Sequence, residues 1–178
     1  LMLKKRIYIA PLLIGVFGAS VFELLGKIAF HRPRPNIMPV YAEKLFSFPS
    51  GHAALTFFFY GFLVYLIFKY TKRWHVRVHS MFWATALTLA VGLSRVYLGV
   101  HYVSDVWAGY LLGGLWLIIS ITFAEFFLSF RRNNSSTKDY QNAPMPRRMI
   151  TGTVLLLLIF IIVYSVNGAR FTQQKILV

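Results

Sequence analysis

A histidine and a carboxylate lie four residues apart in SRVYLGVHYVSD, residues 94–105. On a helix this spacing places the side chains of His101 and Asp105 on one face. The carboxylate could then accept the proton of one imidazole nitrogen and leave the other nitrogen with a lone pair, as in a base or nucleophile. Arg95 comes before them, and Gly99 predicts a bend that would return this cation toward the histidine. The stretch therefore offers a nucleophile, a group that orients it and a cation for an anion.

Two more cations lie in KIAFHRPRP, residues 27–35. Lys27 and Arg34 are the candidates for binding the same anion. Glu23 precedes Lys27 by one helical turn and is its expected ion-pair partner. We interpret Glu23 as structural and Lys27 as functional.

The tetrapeptide PSGH, residues 49–52, has the features of a helix start that binds an anion. Ser50 is the expected N-cap, and Gly51 allows the backbone to come close to a ligand. The exposed amides and the positive end of the helix dipole favour negative charge. His52 would lie at the edge of this anion site.

Phosphoryl transfer is the chemistry that needs these groups, because its transition state concentrates negative charge on the equatorial oxygens of the phosphoryl group. Arg34 and Arg95 can each bind two oxygens, while Lys27 supplies a point charge. A metal site is the alternative for two histidines and an aspartate. Three permanent cations beside one carboxylate would repel a divalent ion, and they already neutralise charge as Mg²⁺ would. We therefore expect no metal and no other cofactor.

The two histidines have different expected roles. His101, neutral and oriented by Asp105, would attack phosphorus and form a phosphohistidine. His52 would protonate the leaving oxygen and then deprotonate the attacking water.

The composition places this chemistry in a membrane. Hydrophobic residues make up 57% of the 178 residues and aromatic residues 17%, and the mean hydropathy is +0.61. That is too apolar for a soluble domain of this size. The absence of cysteine excludes a disulfide framework and a thiolate metal site. The net charge of +14 would suggest nucleic acid in a soluble protein, but basic loops orient membrane proteins. We expect membrane lipids, and no nucleic acid, as partners.

Five apolar segments must position these residues, and each can cross or nearly cross a hydrocarbon core of about 30 Å. Strands could not satisfy their backbone in lipid without closing a barrel. We therefore predict an all-α fold, a polytopic transmembrane bundle of about five helices. Gly109 and Gly113 form a Gly-x-x-x-Gly pair, which favours close helix packing within the chain over dimerisation. The segments cover residues 7–30, 53–68, 81–98, 103–130 and 150–166.

Alternate threading of the five segments puts twelve of the nineteen basic residues on one side. By the positive-inside bias that side is cytoplasmic, so His101 faces outward. We expect the active site on the extracytoplasmic face of the membrane. The predicted divisions are a phosphatase core over residues 1–130, a cytoplasmic basic loop over 131–149, and an additional transmembrane helix with a tail over 150–178.

The three stretches together resemble the motifs of the type 2 phosphatidic acid phosphatases, also called lipid phosphate phosphatases. Those motifs are Lys, six residues, Arg-Pro; Pro-Ser-Gly-His; and Ser-Arg, five residues, His, three residues, Asp. The matching positions are Lys27, Arg34-Pro35, Pro49-Ser50-Gly51-His52, Ser94-Arg95, His101 and Asp105. Arg32-Pro33 is a second Arg-Pro without the required spacing, so we interpret Arg32 as an accessory or surface charge.

The resemblance covers residues 12–128 and implies phosphate binding by Lys27, Arg34 and Arg95, together with the histidine roles given above. It also implies metal independence, the inner membrane of a bacterium and an outward-facing site. Bacterial members usually carry six helices, with the first motif at the end of the third. Here that motif ends the first segment, so we expect either that one or two N-terminal helices of the family core are missing or that the chain is part of a larger protein.

The expected function is hydrolysis of a lipid monophosphate or diphosphate. Substrates implied by the family are undecaprenyl diphosphate, phosphatidylglycerol phosphate, phosphatidic acid and lipid A phosphates, and the motifs do not select among them. A lipid hydroxyl could also accept the phosphoryl group, which would make the protein a phosphotransferase. Vanadate-dependent haloperoxidases share the motifs but are soluble, and a non-catalytic lipid-binding or transport protein would not need both histidines. The oligomeric state is left open.

Overall fold

A computed structural model describes residues 8–35 and 46–135 of the chain. It contains four helices: α1 (Ile9–Phe30), α2 (Gly51–Tyr70), α3 (Trp74–Tyr97) and α4 (Val103–Ser135). Within these two ranges there is no strand. The prediction of an all-α fold is confirmed, while the predicted fifth helix over residues 150–166 lies outside the described residues.

All four helices are long and apolar enough to cross a membrane. The shortest, α2, has 20 residues, which is about 30 Å of helix. Large apolar side chains are exposed around the bundle, among them Phe17 of α1, Phe82 of α3 and Trp107 of α4. A protein in water would bury many of these side chains, whereas their exposure to lipid carries no hydrophobic penalty. The outer surface is therefore of the kind that faces lipid.

The closest helix pair is α2 with α4, and these two helices form the centre of the bundle. A Cβ built on Gly109 would lie 2.4 Å from the carbonyl oxygen of Ser50, and one built on Gly113 would lie 2.3 Å from that of Ala54. Only glycine permits this approach, because backbone atoms cannot move aside as a flexible side chain can. The predicted packing of Gly109 and Gly113 within the chain is confirmed. Helix α1 covers α4 and α2, while α3 packs mainly on α2.

Two helix bounds differ by five residues or more from those of the apolar segments. Helix α3 begins at Trp74 rather than at residue 81, since the polar turn before the apolar stretch is helical as well. Arg77 on this turn donates to the carbonyl oxygens of Thr71 (2.7 Å) and Phe68 (2.9 Å). A cation that binds the last carbonyls of α2 stabilises the C-terminal end of that helix. Helix α4 continues to Ser135, five residues into the segment predicted as a loop.

Alternate threading brings four helix ends to one side of the bundle, which we call the site end. These are the C-terminal ends of α1 and α3 and the N-terminal ends of α2 and α4. At the opposite end, Lys69 of α2 forms an ion pair with Glu125 of α4, whose Oε1 also accepts from the Tyr65 hydroxyl at 2.5 Å. All three sequence motifs lie at the site end.

Candidate active site

Hydrogen bonds across the site end join the three motif stretches. The amide of Ser50 donates to the carbonyl oxygen of Asp105 (3.0 Å), which links the starts of α2 and α4. Arg34, in the loop after α1, donates from Nη1 to the carbonyl oxygen of Val100 (2.8 Å) in the loop after α3. Arg34 and Val100, which are 66 positions apart in the sequence, thus meet at one place.

The imidazole of His101 is buried, with 3% of the residue exposed, and Nδ1 lies 2.7 Å from the carbonyl oxygen of Ser47. A carbonyl can only accept a hydrogen bond, so Nδ1 carries the proton and donates. In the neutral ring Nε2 then keeps its lone pair. The structure therefore places His101 in the tautomer that a nucleophile requires.

The partner that fixes this tautomer is not the one that the spacing predicts. Asp105 Oδ2 is 3.6 Å from Nδ1 of His101, which is longer than a hydrogen bond, whereas Ser47 is at hydrogen-bonding distance. Asp105 therefore lies beside His101 without a hydrogen bond to its ring. No residue type could have revealed Ser47, because every residue carries a backbone carbonyl.

The carboxylate of Asp105 is fully buried and holds the beginning of α4. Its Oδ2 accepts from the backbone amide of Tyr102 at 2.9 Å, and Tyr102 directly precedes Val103, the first residue of α4. An acidic side chain in the first turn that reaches back to this amide is one half of a capping box. The other oxygen, Oδ1, forms an ion pair with Nη1 of Arg32.

Of the two roles that the sequence leaves open for Arg32, the structure excludes a surface charge. Its side chain is only 12% exposed and binds Asp105. Nη1 also donates to Oγ of Ser104 at 2.7 Å, and the guanidinium lies 3.8 Å from the centre of the Tyr102 ring. The tandem Arg-Pro-Arg-Pro was the available signal. It gives the loop two arginines, of which Arg32 binds the start of α4 and Arg34 binds the loop after α3.

The bend predicted at Gly99 is present. Gly99 has φ of 67°, a left-handed conformation that glycine adopts without strain. The chain turns here between α3 and α4, and the amide of Val100 donates to the carbonyl oxygen of Arg95 (3.3 Å). The turn also presents the carbonyl of Val100 to Arg34.

Helix α2 starts as the PSGH sequence predicts. Ser50 is the N-cap, with ψ of 112°, and its side chain accepts from the amide of Ala53. Gly51 is the first helical residue and is buried. His52 is the second residue of α2 and has an exposed side chain, so it lies at the site end where a proton donor would be accessible.

Lys27 is buried at 8% exposure and its Nζ lies 2.6 Å from Oε1 of Glu23, which confirms the expected ion pair. The carboxyl group of Glu23 also lies against Gly51. A Cβ built on Gly51 would be 2.3 Å from Cδ of Glu23 and 2.4 Å from each carboxylate oxygen. Lys27 is therefore next to the start of α2 by way of Glu23, a connection that the sequence did not indicate.

Arg95 occupies the last turn of α3 and is half-buried. In the described part of the chain its side-chain hydrogen bond is to its neighbour, from Nε to Oγ of Ser94 at 3.4 Å. The structure places Arg95 at the site end without a hydrogen bond to the group formed by His101 and Asp105. Over residues 8–35 and 46–135 no three His, Cys, Asp or Glu side chains converge as metal ligands would, and metal independence stays a prediction.

Comparison with known proteins agrees with the motif pattern. Residues 7–129 match the PAP2 superfamily. The chain is 35% identical over 127 residues to phosphatidylglycerophosphatase B of Bacillus subtilis (strain 168), a match that covers 68% of this chain and 61% of the relative. It is 35% identical over 141 residues to bacitracin transport permease protein BcrC of Bacillus licheniformis, covering 71% and 63%. Lipid A 4'-phosphatase of Bacteroides thetaiotaomicron is 34% identical over 124 residues, covering 68% and 50%.

The fold is similar to the crystal structure of a transmembrane PAP2-type phosphatidylglycerolphosphate phosphatase from Bacillus subtilis. The TM-score is 0.60 at 32% sequence identity, over 65% of this chain and 58% of that one. The chain thus spans less than two thirds of the length of these relatives. The superfamily match nevertheless covers more than half of the chain and contains all three motifs. With the four apolar helices that present these motifs at one end, the chain is an integral membrane protein that belongs to the PAP2 superfamily.

Proposed function

We propose that this protein is a membrane lipid phosphatase that hydrolyses a lipid monophosphate or diphosphate through a phosphohistidine on His101. The observation that carries the proposal is the buried His101 whose Nδ1 donates to Ser47, because this bond leaves Nε2 as the nucleophile. Two relatives named above are, by their names, phosphatases of phosphatidylglycerophosphate and of lipid A. These names support a phosphorylated lipid as the substrate class.

The reaction has two steps in this proposal. Nε2 of His101 forms a bond to phosphorus while the bond from phosphorus to the lipid oxygen breaks, and His52 gives that oxygen a proton. Water then attacks phosphorus, His52 takes the proton of the water, and the bond to Nε2 breaks. Inorganic phosphate leaves from a monophosphate, and His101 returns to its neutral state.

Lys27, Arg34 and Arg95 are the proposed phosphate-binding side chains, with Ser50 and Gly51 contributing the start of α2. All five lie at the site end. Fixed cations and helix amides stabilise the charge that develops on the phosphoryl oxygens, with no need for the protein to reorganise during the step. No divalent metal is required, because the cations neutralise this charge.

The test is a phosphate-release screen over defined lipids, with the purified full chain in detergent and His101→Ala as the blank. We expect release from at least one lipid phosphate, equal with and without a chelator, and inhibition by vanadate, which adopts the geometry of the transferring phosphoryl group. Added lipid alcohol would reveal a phosphotransferase as a new phosphorylated product. Activity that a chelator removes and that only Mg²⁺ or Zn²⁺ restores would refute the metal-free mechanism.

A second experiment separates the two histidines. His101→Ala should form no phosphoenzyme, whereas His52→Ala should still form it from p-nitrophenyl phosphate, whose leaving group needs no proton. The phosphate trapped on His52→Ala should be labile to acid and stable to base. If it appears on His101→Ala instead, the two roles are reversed.

We also propose that the site end faces the extracytoplasmic side of a bacterial inner membrane, since most basic residues fall at the other side. The chain has no cysteine, so a single introduced cysteine reports its own position. A membrane-impermeant thiol reagent should label Lys44→Cys in intact cells and Thr137→Cys only after lysis. The opposite pattern would reverse the orientation.

A further inference from the structure

The carboxylate of Glu23 lies at the start of α2, between Lys27 and Gly51. It is 2.6 Å from the ammonium of Lys27, and its three carboxyl atoms are the nearest neighbours that a Cβ on Gly51 would meet. The side chain is 19% exposed, so water reaches it only in part. One carboxylate therefore contacts both the lysine and the glycine of the proposed phosphate site.

This position is favourable for an anion. The first turn of a helix presents amides without intrahelical partners and the positive end of the dipole. Phosphate binds at helix starts for these reasons, and a carboxylate does so as well. The attraction that Glu23 experiences is thus the same attraction that a substrate phosphate would experience.

We propose that Glu23 acts as the resident counter-anion of the phosphate site and thereby sets the affinity of the site for phosphate. While no phosphate is bound, Glu23 pairs with Lys27 and offsets the positive end of the α2 dipole. It competes with phosphate for both of these groups. The inference rests on the proposed function in one respect, that the anion to be bound is a phosphate group.

Competition of this kind serves turnover. Three cations and a helix start would bind inorganic phosphate tightly, and a tightly bound product limits the rate of an enzyme whose chemistry is complete. A carboxylate beside the site lowers the affinity for ground-state phosphate, because like charges a few ångströms apart repel. Interactions that form only in the transition state do not hold the product phosphate, so they do not slow its release. Glu23 is therefore expected to lower phosphate affinity and to raise the rate of product release.

A purely structural Glu23 predicts the opposite sign. If its role were only to position Lys27, its loss would release the lysine and weaken the binding of phosphate. The two roles are thus distinguished by the direction in which phosphate affinity changes.

The test is the dissociation constant of inorganic phosphate for the purified full chain in detergent, measured by titration calorimetry without any substrate. Glu23→Gln keeps the shape of the side chain and removes its charge. We expect binding to be at least about tenfold tighter, equivalent to ~1.4 kcal/mol. Vanadate should follow the same direction. Glu23→Asp keeps the charge and should return the affinity toward that of the unmodified protein.

Glu125→Gln is the matched control, because it removes the same charge from another lysine-paired glutamate at the opposite end of the bundle. It should leave phosphate affinity unchanged. Unchanged or weaker phosphate binding in Glu23→Gln would overturn the inference, as would an equal gain in Glu125→Gln. This titration requires no turnover, so it tests Glu23 independently of lipid hydrolysis. A protein that binds phosphate but hydrolyses no lipid would contradict the proposed function, and the phosphate titration would still decide the role of Glu23.

In a turnover assay with an active lipid, Glu23→Gln should lower both KM and kcat. KM falls because the substrate binds more tightly, and kcat falls because phosphate leaves more slowly. A loss of kcat with a raised KM would indicate a damaged site instead. This split therefore checks the same sign by a second route.

Discussion

Replacing Arg32 by alanine should destabilise the protein more than a surface charge would. The carboxylate of Asp105 is fully buried, and the Arg32 side chain that faces it is 12% exposed. Removing one partner of a buried ion pair costs ~3–5 kcal/mol, because the remaining charge is left uncompensated. Asp105 keeps the hydrogen bond from the amide of Tyr102 at 2.9 Å. We therefore expect the lower limit, about 3 kcal/mol.

For a chain of this length, a loss of that size lowers Tm by roughly 6–12 °C. The assay is thermal unfolding of the purified protein in detergent, followed by intrinsic fluorescence. Arg34→Ala is the comparison, since it removes bonds to the carbonyl oxygens of Val100 and Phe46, which carry no net charge. Its Tm should fall less.

A double-mutant cycle makes the reasoning stricter. Once Asp105→Asn has removed the charge, Arg32→Ala should cost little more. The loss of stability in the double variant should therefore be smaller than the sum of the two single losses by ~0.5–3 kcal/mol. Additive losses would refute the ion pair as the cause. A fall in Tm of under about 2 °C for Arg32→Ala would refute the burial argument as well.

Two further predictions concern the packing of α4. Gly113→Ala should destabilise the bundle by ~1–3 kcal/mol because its Cβ would lie 2.3 Å from the carbonyl oxygen of Ala54. Gly114→Ala is the control and should be tolerated, because the nearest atom to its Cβ would be 3.4 Å away. Equal changes in Tm for the two variants would contradict the close approach of α4 to α2. Tyr110→Phe should cost about 1 kcal/mol, since the hydroxyl donates to the carbonyl oxygen of Thr88 at 2.9 Å and joins α4 to α3. No change in Tm would mean that this bond contributes nothing measurable.

Sequence alone was sufficient to predict the four described helices and their common site end. Apolar segments of about 20 residues can satisfy their backbone in lipid only as helices. Alternate threading then places successive loops on alternate sides. The Gly-x-x-x-Gly pair and the Ser50 cap were also predicted, because both depend on local geometry and on residue type.

The bounds of α3 and α4 could not be predicted from hydropathy. A helix continues beyond the membrane wherever its backbone and caps are satisfied, and polar residues permit this as well as apolar ones. The bonds from Arg77 to the end of α2 illustrate the cause, because they depend on how two helices meet and not on the composition of either.

The partners within the candidate site were decided by the tertiary structure. The spacing of His101 and Asp105 predicted a direct hydrogen bond, but Nδ1 donates to Ser47 and the carboxylate pairs with Arg32. Glu23 was expected to pair with Lys27, and its contact with Gly51 was not expected. Residue types state which charges and donors a chain has. Which acceptor is nearest to each donor depends on distances of an ångström or less between segments far apart in the sequence, and only the packed bundle sets those distances.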